Sequence, residues 1–266
     1  MTGADVLHIS FPQLLIALLF VLIAGAASMY HALKLERDLF VGTIRTFAQL
    51  YIMGYVLKLI FGLNRPSLVL LTFTFMIIFA AWTVYSRIQE KQIPFFIPVS
   101  LSMMASFYLV AIMVNGFVIN VDPWWTPRYF LPLGGMVIGN SMNAIAIALE
   151  RLLSDLRRRR KEVEMKLCLG ADYKEAGKEI LKDAMRAGMI PSINSMMAVG
   201  MVFIPGMMTG QIVAGADPLL AIRYQIVVMI MLVGSTTIGT LVSLMITQKL
   251  CFNARQQLLL TPQRKQ

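Results

Sequence analysis

Histidine and cysteine are nearly absent from this chain, with two of each in 266 residues. His8 and His31 flank one long apolar stretch, so a membrane crossed by that stretch would hold them apart, and they cannot share a metal. Cys168 and Cys251 are far apart, with no Cys-x-x-Cys spacing, which excludes a zinc site or a disulfide framework. Charge is also scarce, at 14% of residues against about a quarter in soluble domains. A Gly-x4-Gly-Lys-[Ser/Thr] phosphate loop is missing. The isolated Gly177-Lys178-Glu179 has neither the leading glycine nor the hydroxyl that holds magnesium. The chain is therefore expected not to be an enzyme, and any ATP work must come from another subunit.

Apolar residues take the place of charge, at 58% of the chain with a mean hydropathy of +0.70. Apolar runs of about 20 residues match a bilayer core of about 30 Å, and runs without strict alternation are helices, not barrel strands. The sequence thus predicts an all-α, polytopic membrane protein with one permease domain. Seven spans are expected, at about 11–33, 39–61, 68–85, 93–119, 129–149, 189–213 and 219–247. Turn-rich punctuation separates several of them, as at Gly62-Leu-Asn-Arg-Pro66, Asn120 to Pro127 and Gly215-Ala-Asp-Pro218.

The net charge of +10 would suit nucleic acid if it were spread over a soluble surface. Here most basic residues lie between spans. Placing the N-terminus outside and the C-terminus in the cytoplasm gathers nearly all of them on the cytoplasmic side, as the positive-inside bias requires. The expected partner of this charge is membrane lipid, not nucleic acid, and the run Arg157 to Lys161 reads as a headgroup patch. Trp124 and Trp125 then fall at the outer interface. No basic residue precedes the first apolar stretch, while Lys34 and Arg37 follow it, so it reads as a retained span and not a signal peptide.

The longest predicted loop, 150–188, carries a cytoplasmic amphipathic helix. Asp172-Tyr-Lys-Glu175 has the spacing of a capping box, and Gly170 allows a sharp break just before it. Ala176, Ile180, Leu181 and Ala184 share one face. Such a helix can lie on the membrane or enter a groove on another protein. Glu164 followed by Gly170-Ala171-Asp172 resembles the cytoplasmic coupling loop of ABC transporter permeases.

The resemblance extends over essentially the whole chain. Arg45-Thr-Phe-Ala-Gln49, Gly134-Gly-Met-Val-Ile-Gly139-Asn-Ser-Met142, Val202-Phe-Ile-Pro-Gly206-Met-Met-Thr-Gly210-Gln and Ala221-Ile-Arg-Tyr-Gln225 are similar to the FetB/YbbM-type permease family of bacterial iron exporters, which includes plant relatives linked to aluminium tolerance. That resemblance implies a homodimeric permease in the bacterial inner membrane, working with an ABC ATPase subunit that binds ATP and magnesium. Glu164, Gly170, Asp172, Ala176, Ile180, Leu181 and Ala184 would then couple it to the ATPase. The implied cargo is iron, with a nucleotide sugar or another small solute as the alternative. A non-conducting scaffold and an ATP-independent channel are the rival functions.

Polar groups in hydrocarbon need partners, so those at membrane depth are candidates for a pathway. They are Arg45 and Gln49 in the second span, Asn140 and Asn143 in the fifth, and Ser192, Asn194, Ser195, Met207, Met208 and Gln211 in the sixth. Interhelical packing is the favoured reading of the polar residues taken singly and gap-filling that of the methionines, and Arg45 is near enough to a helix end to snorkel. Pro191 and Pro205 interrupt helical bonding in the sixth span and can free carbonyls for a cation. No set of acids, imidazoles or thiolates with ligand spacing occurs within the spans, so no metal ligands are assigned.

Overall fold

The computed structural model describes residues 10–88, 90 and 93–260. Among these, nine α-helices carry the fold and no strands form. The chain is an all-α, polytopic membrane protein. Six helices are long and apolar enough to cross a bilayer: α1 (Phe11–Tyr30), α2 (Glu36–Leu63), α3 (Pro66–Arg87), α4 (Phe96–Met113, extended by a π-helical turn at Val114–Val118), α5 (Pro127–Arg158) and α9 (Pro218–Leu250). Between α5 and α9 lie α6 (Arg160–Cys168), α7 (Tyr173–Ala198) and α8 (Gly206–Val213).

Prolines and polar caps set the helix starts as the punctuation predicts. Pro66, Pro127 and Pro218 open their helices, where the missing N–H costs nothing. The Asp217 carboxylate accepts the Leu220 N–H at 3.2 Å, capping α9. Asn64 ends α2 in the left-handed conformation (φ 44°).

Helix α5 is the hub, packed against α3, α4, α7 and α9. Phe73 of α3 is fully buried there, edge-on to Tyr108 and Phe130 at 5.0 and 4.9 Å, and Gly134 leaves room for its ring. Buried hydroxyls join helices where lipid offers no partner. Ser141 bonds to Thr236 at 3.3 Å, and Ser102 to Ser243 at 3.2 Å. Gly188 brings α7 against the α5 backbone, where an added Cβ would lie 2.7 Å from the Ala144 carbonyl oxygen. By contrast, α1 and α2 bury almost nothing and touch mainly each other, closed at their turn by Ser28, which donates to Glu36 at 2.9 Å.

Two expectations are corrected. The region 150–188 is not a loop, because α5 runs on to Arg158 and α7 begins at Tyr173. Hydropathy falls after Leu149, but the helix continues: Leu152, Leu153 and Leu156 stay buried, and Asp155 pairs with Arg151 and Arg158 at 2.7 and 3.0 Å. The expected sixth span, 189–213, is not one helix. Its first part is the end of α7 and its last part is α8, with the backbone unwound over 199–205. Both pieces nevertheless follow α9. Met189 accepts a bond from Thr237, and α8 leads directly into the α9 cap at Asp217. Thr237 to Pro218 spans roughly 30 Å of helix, the thickness of a bilayer core.

Candidate functional site

Two features stand out, one at each end of α7. The first is an elbow, in which α6 packs back on α7 through a turn at Gly170 (φ 95°), a conformation that glycine adopts without strain. The expected capping box is present. The Asp172 carboxylate accepts the Glu175 N–H at 2.7 Å, and the Glu175 carboxylate accepts the Asp172 N–H at 3.2 Å.

Ion pairs stiffen α6. The Arg160 guanidinium donates to Glu164 at 2.6 Å and to the Leu260 carbonyl at 2.5 Å. Hydrogen bonds from Arg159 and then Lys166 pull the Glu162 carboxyl down to about 2, while its bond to Glu162 raises Arg159. At the end of α5, Arg157 pairs with the buried Glu90.

The chain end after α9 folds onto this elbow, a feature that no sequence signal announces. Phe252 and Leu258 bridge each other and are buried, Leu260 is buried beside them, and Gln256 accepts the Tyr173 N–H at 3.0 Å. The hook and the elbow enclose a cleft of about 1120 Å³. Leu169 projects from the turn at 80% exposure.

The proposed coupling residues separate into two groups. Gly170 is exposed on the elbow, and Glu164 and Asp172 are half-buried there. Ala176, Ile180 and Ala184 are buried at 2% exposure or less, and Leu181 packs against the same core. Their shared face is apolar because it packs inside the chain, so it is not a free docking surface. Periodicity reports that a face is buried, but not against what.

The second feature is the break at the other end of α7. Gly200 (φ 84°) turns the chain, and Pro205 caps α8. The break, α8 and α9 enclose a pocket of about 430 Å³, lined in part by Met196, Met208, Gln225 and Met229. Gln225 is 6% exposed, and its side-chain oxygen has no hydrogen-bond partner. Gln211 lies one turn beyond Met208 on the same side of α8, and its buried side-chain oxygen also has no partner. Met207 instead packs on the hydrophobic core. Sequence reasoning missed Gln225 as a site residue, although a lone amide between Ile222 and Ile226 in an apolar helix was the available signal.

The remaining polar candidates occupy a third place. Arg45 and Gln49 are exposed, and they line a cavity of about 390 Å³ with α3 and with Gly135 and Gly139 of α5. Asn143 accepts from Arg87 at 3.1 Å, and Asn140 donates to Met136 of its own helix at 2.9 Å. Asn194 and Ser195 are exposed, and Ser192 is half-buried, on the part of α7 beyond Gly188.

The sequence pattern of an uncharacterised protein family, UPF0014, matches residues 11–252. The chain belongs to the UPF0014 family. Similar proteins include the probable iron export permease protein FetB of Escherichia coli, 34% identical over 97% of this chain and 98% of FetB. The UPF0014 membrane protein slr1647 of Synechocystis is 37% identical over 89% of this chain and 91% of its own. The plant protein ALUMINUM SENSITIVE 3 of Arabidopsis thaliana is 34% identical over 85% and 82%. No solved structure matches the chain. Within this UPF0014 chain, the elbow and the break are thus parts of a multi-pass membrane protein family that reaches from bacteria to plants.

Proposed function

We propose that this UPF0014 protein is the membrane-spanning permease subunit of an ABC transporter that exports a metal ion. Iron is the first candidate, because a similar protein is named a probable iron export permease. A separate ATPase subunit would bind ATP and magnesium and supply the stroke. In this reading the elbow faces the cytoplasm of a bacterial cell, and the protein sits in its inner membrane.

One observation carries the proposal: α7 is a single helix of 26 residues from the elbow to the break. At 1.5 Å per residue it is a lever of roughly 39 Å, so displacement at one end reaches the other. An ATPase that grips Leu169 and the Gly170 turn would move the unwound segment 199–205 without acting inside the membrane. Pro191 lacks the N–H that would bond the Ala187 carbonyl and gives the lever a point of bending.

A pair of permeases would present two elbows to an ATPase dimer. The surface at membrane depth supports the pairing. Gln49 is exposed on α2 and Asn140 on α5, two helices long and apolar enough to cross a bilayer, and a second copy or a water-filled path between copies would give these amides the partners that lipid lacks.

The test compares two substitutions in a tagged chain purified from membranes. Leu169→Asp alters only exposed surface and is expected to release a copurifying ATPase while thermal stability is unchanged. Ile180→Asp buries a charge at a site of 1% exposure and is expected to destabilise the protein itself, by several kcal/mol. An ATPase retained by Leu169→Asp, or absent from the intact wild type, would remove the elbow as the docking point.

A further inference from the structure

The pocket at the break has features that helix packing does not account for. Packing in a membrane leaves few buried polar atoms unpaired, because each costs about 1–3 kcal/mol. The Gln225 oxygen is such an atom, buried in the wall of a cavity large enough to hold an occupant, and an amide that turns about its last torsion can present it there. Three thioethers, from Met196, Met208 and Met229, line the same cavity from three different helices. At the end of α7 the Ser195 and Ala198 carbonyls already accept the backbone N–H groups of Val199, Met201 and Val202, which leaves those of Met196 and Met197 to offer the negative end of the dipole. Discontinuous membrane helices place such groups where a bare cation can replace its water.

We propose that this pocket is the cargo site of the transporter, and that its ligand is a low-valent transition-metal cation of the Fe(II) or Cu(I) class. The inference rests on the permease reading above. Its ligand set would be one amide oxygen, thioethers and backbone carbonyls, all neutral. Thioethers favour soft ions, Cu(I) above all, and adding neutral oxygen donors admits a borderline ion such as Fe(II), whereas Fe(III) wants anionic oxygen. Among the described residues no group of three His, Cys, Asp or Glu side chains could hold a metal. Neutral ligands also set an upper bound on charge, since the cost of dehydrating an ion grows with the square of its charge. Gln211, one turn beyond Met208 towards the α9 cap, gives the ion a second oxygen on the way out. Gln225 itself lies seven residues inside the α9 start, or roughly 10 Å along the axis, so the step to the far surface is short.

The test uses the full chain in lipid nanodiscs, with Cys168→Ser and Cys251→Ala so that thiols do not compete. Three probes are dialysed to equilibrium and the bound metal counted: Fe(II) without oxygen, Ag(I) as a stable stand-in for Cu(I), and ferric citrate. Gln225→Leu, Met208→Leu and Met229→Leu are compared with the parent. Leucine conserves the methionine volume, and Gln225→Leu replaces an amide whose oxygen is unpaired by an apolar side chain of similar size, so all three are expected to fold. The expected result is saturable binding of Fe(II) or Ag(I) that each substitution weakens roughly tenfold or more, with no ferric binding at the same site. Binding that all three substitutions leave intact, no binding of either low-valent ion, or equally tight ferric binding overturns the proposal. ATP-driven flux in vesicles with the ATPase subunit separates the two readings. Flux of a low-valent ion that ignores all three substitutions keeps the permease and removes the site, whereas substitution-sensitive binding without flux keeps the site and removes the permease.

Discussion

The lever depends on how closely α7 lies against α5, and Gly188 is where this can be measured. An alanine there would place its Cβ 2.7 Å from the Ala144 carbonyl oxygen and 2.8 Å from the Ala148 Cβ. Relaxed contacts need about 3.5–4.0 Å, so the helices must part by close to an ångström, and backbone cannot swing aside as a side chain can. Gly139 of α5 has no atom within 4 Å of the same position and is the control. Both substitutions gain the same helix propensity of about 1 kcal/mol, which cancels when they are compared. The remainder is overpacking, about 1–3 kcal/mol against Gly188→Ala. At about 2–4 °C per kcal/mol for a chain of this size, the two variants are expected to melt several degrees apart, as read by fluorescence-detected size-exclusion chromatography after heating. Ala148→Gly removes one of the two clashes and should recover part of the loss in the Gly188→Ala background. Equal melting of Gly188→Ala and Gly139→Ala would mean that α7 does not lie on α5 as described, and the lever would lose its fulcrum.

Other consequences follow from the elbow. Cys168 is exposed, whereas Cys251 is buried and its thiol is pushed up to about 12 by desolvation. A membrane-impermeant maleimide is expected to label Cys168 and spare Cys251. Labelling in inside-out vesicles but not in intact cells would support the cytoplasmic elbow, and the reverse pattern would invert the proposed orientation. Glu162 is held at about 2, below its ordinary 4.5, by Arg159 and Lys166. A depressed carboxylate contributes fully above its ordinary value and loses that contribution as pH falls towards 2. Glu162→Gln is therefore expected to lower stability at pH 7 and to make no difference near pH 2. Since this carboxylate is reached by solvent, the difference should also shrink in high salt, and a gap that persists at low pH would contradict the ion pair.

Much of the fold was legible because membrane crossing demands a length and an apolarity that any sequence must display. Six of the seven expected spans form as long apolar helices, and the capping box read at Asp172 is present. Hydropathy failed where helix and membrane part company. It ended the fifth helix at Leu149 because charge begins there, yet Asp155 and its two arginines are the means by which α5 continues. It fused α7 and α8 into one span because Met, Val, Ile and Gly at 199–206 are as apolar unwound as they are helical. Gly200 with Pro205 was the local sign of the break, and single prolines are too common in membrane helices to decide it.

The candidate site was less legible, for a reason that Ile180 and Gln225 show from opposite sides. Ile180 has the pattern of a docking face, but its partner is this chain's own core, and one helix's periodicity does not say which neighbour it meets. Gln225 has no pattern at all, being one amide in a long apolar helix. Its meaning comes from the α7 break that leaves space beside it and from methionines on three helices. Methionine abundance in the sequence fits gap-filling as well as ligation. What separates these roles is that methionines from three helices line one cavity together with a buried amide, and that arrangement depends on where α7 ends, which hydropathy could not see.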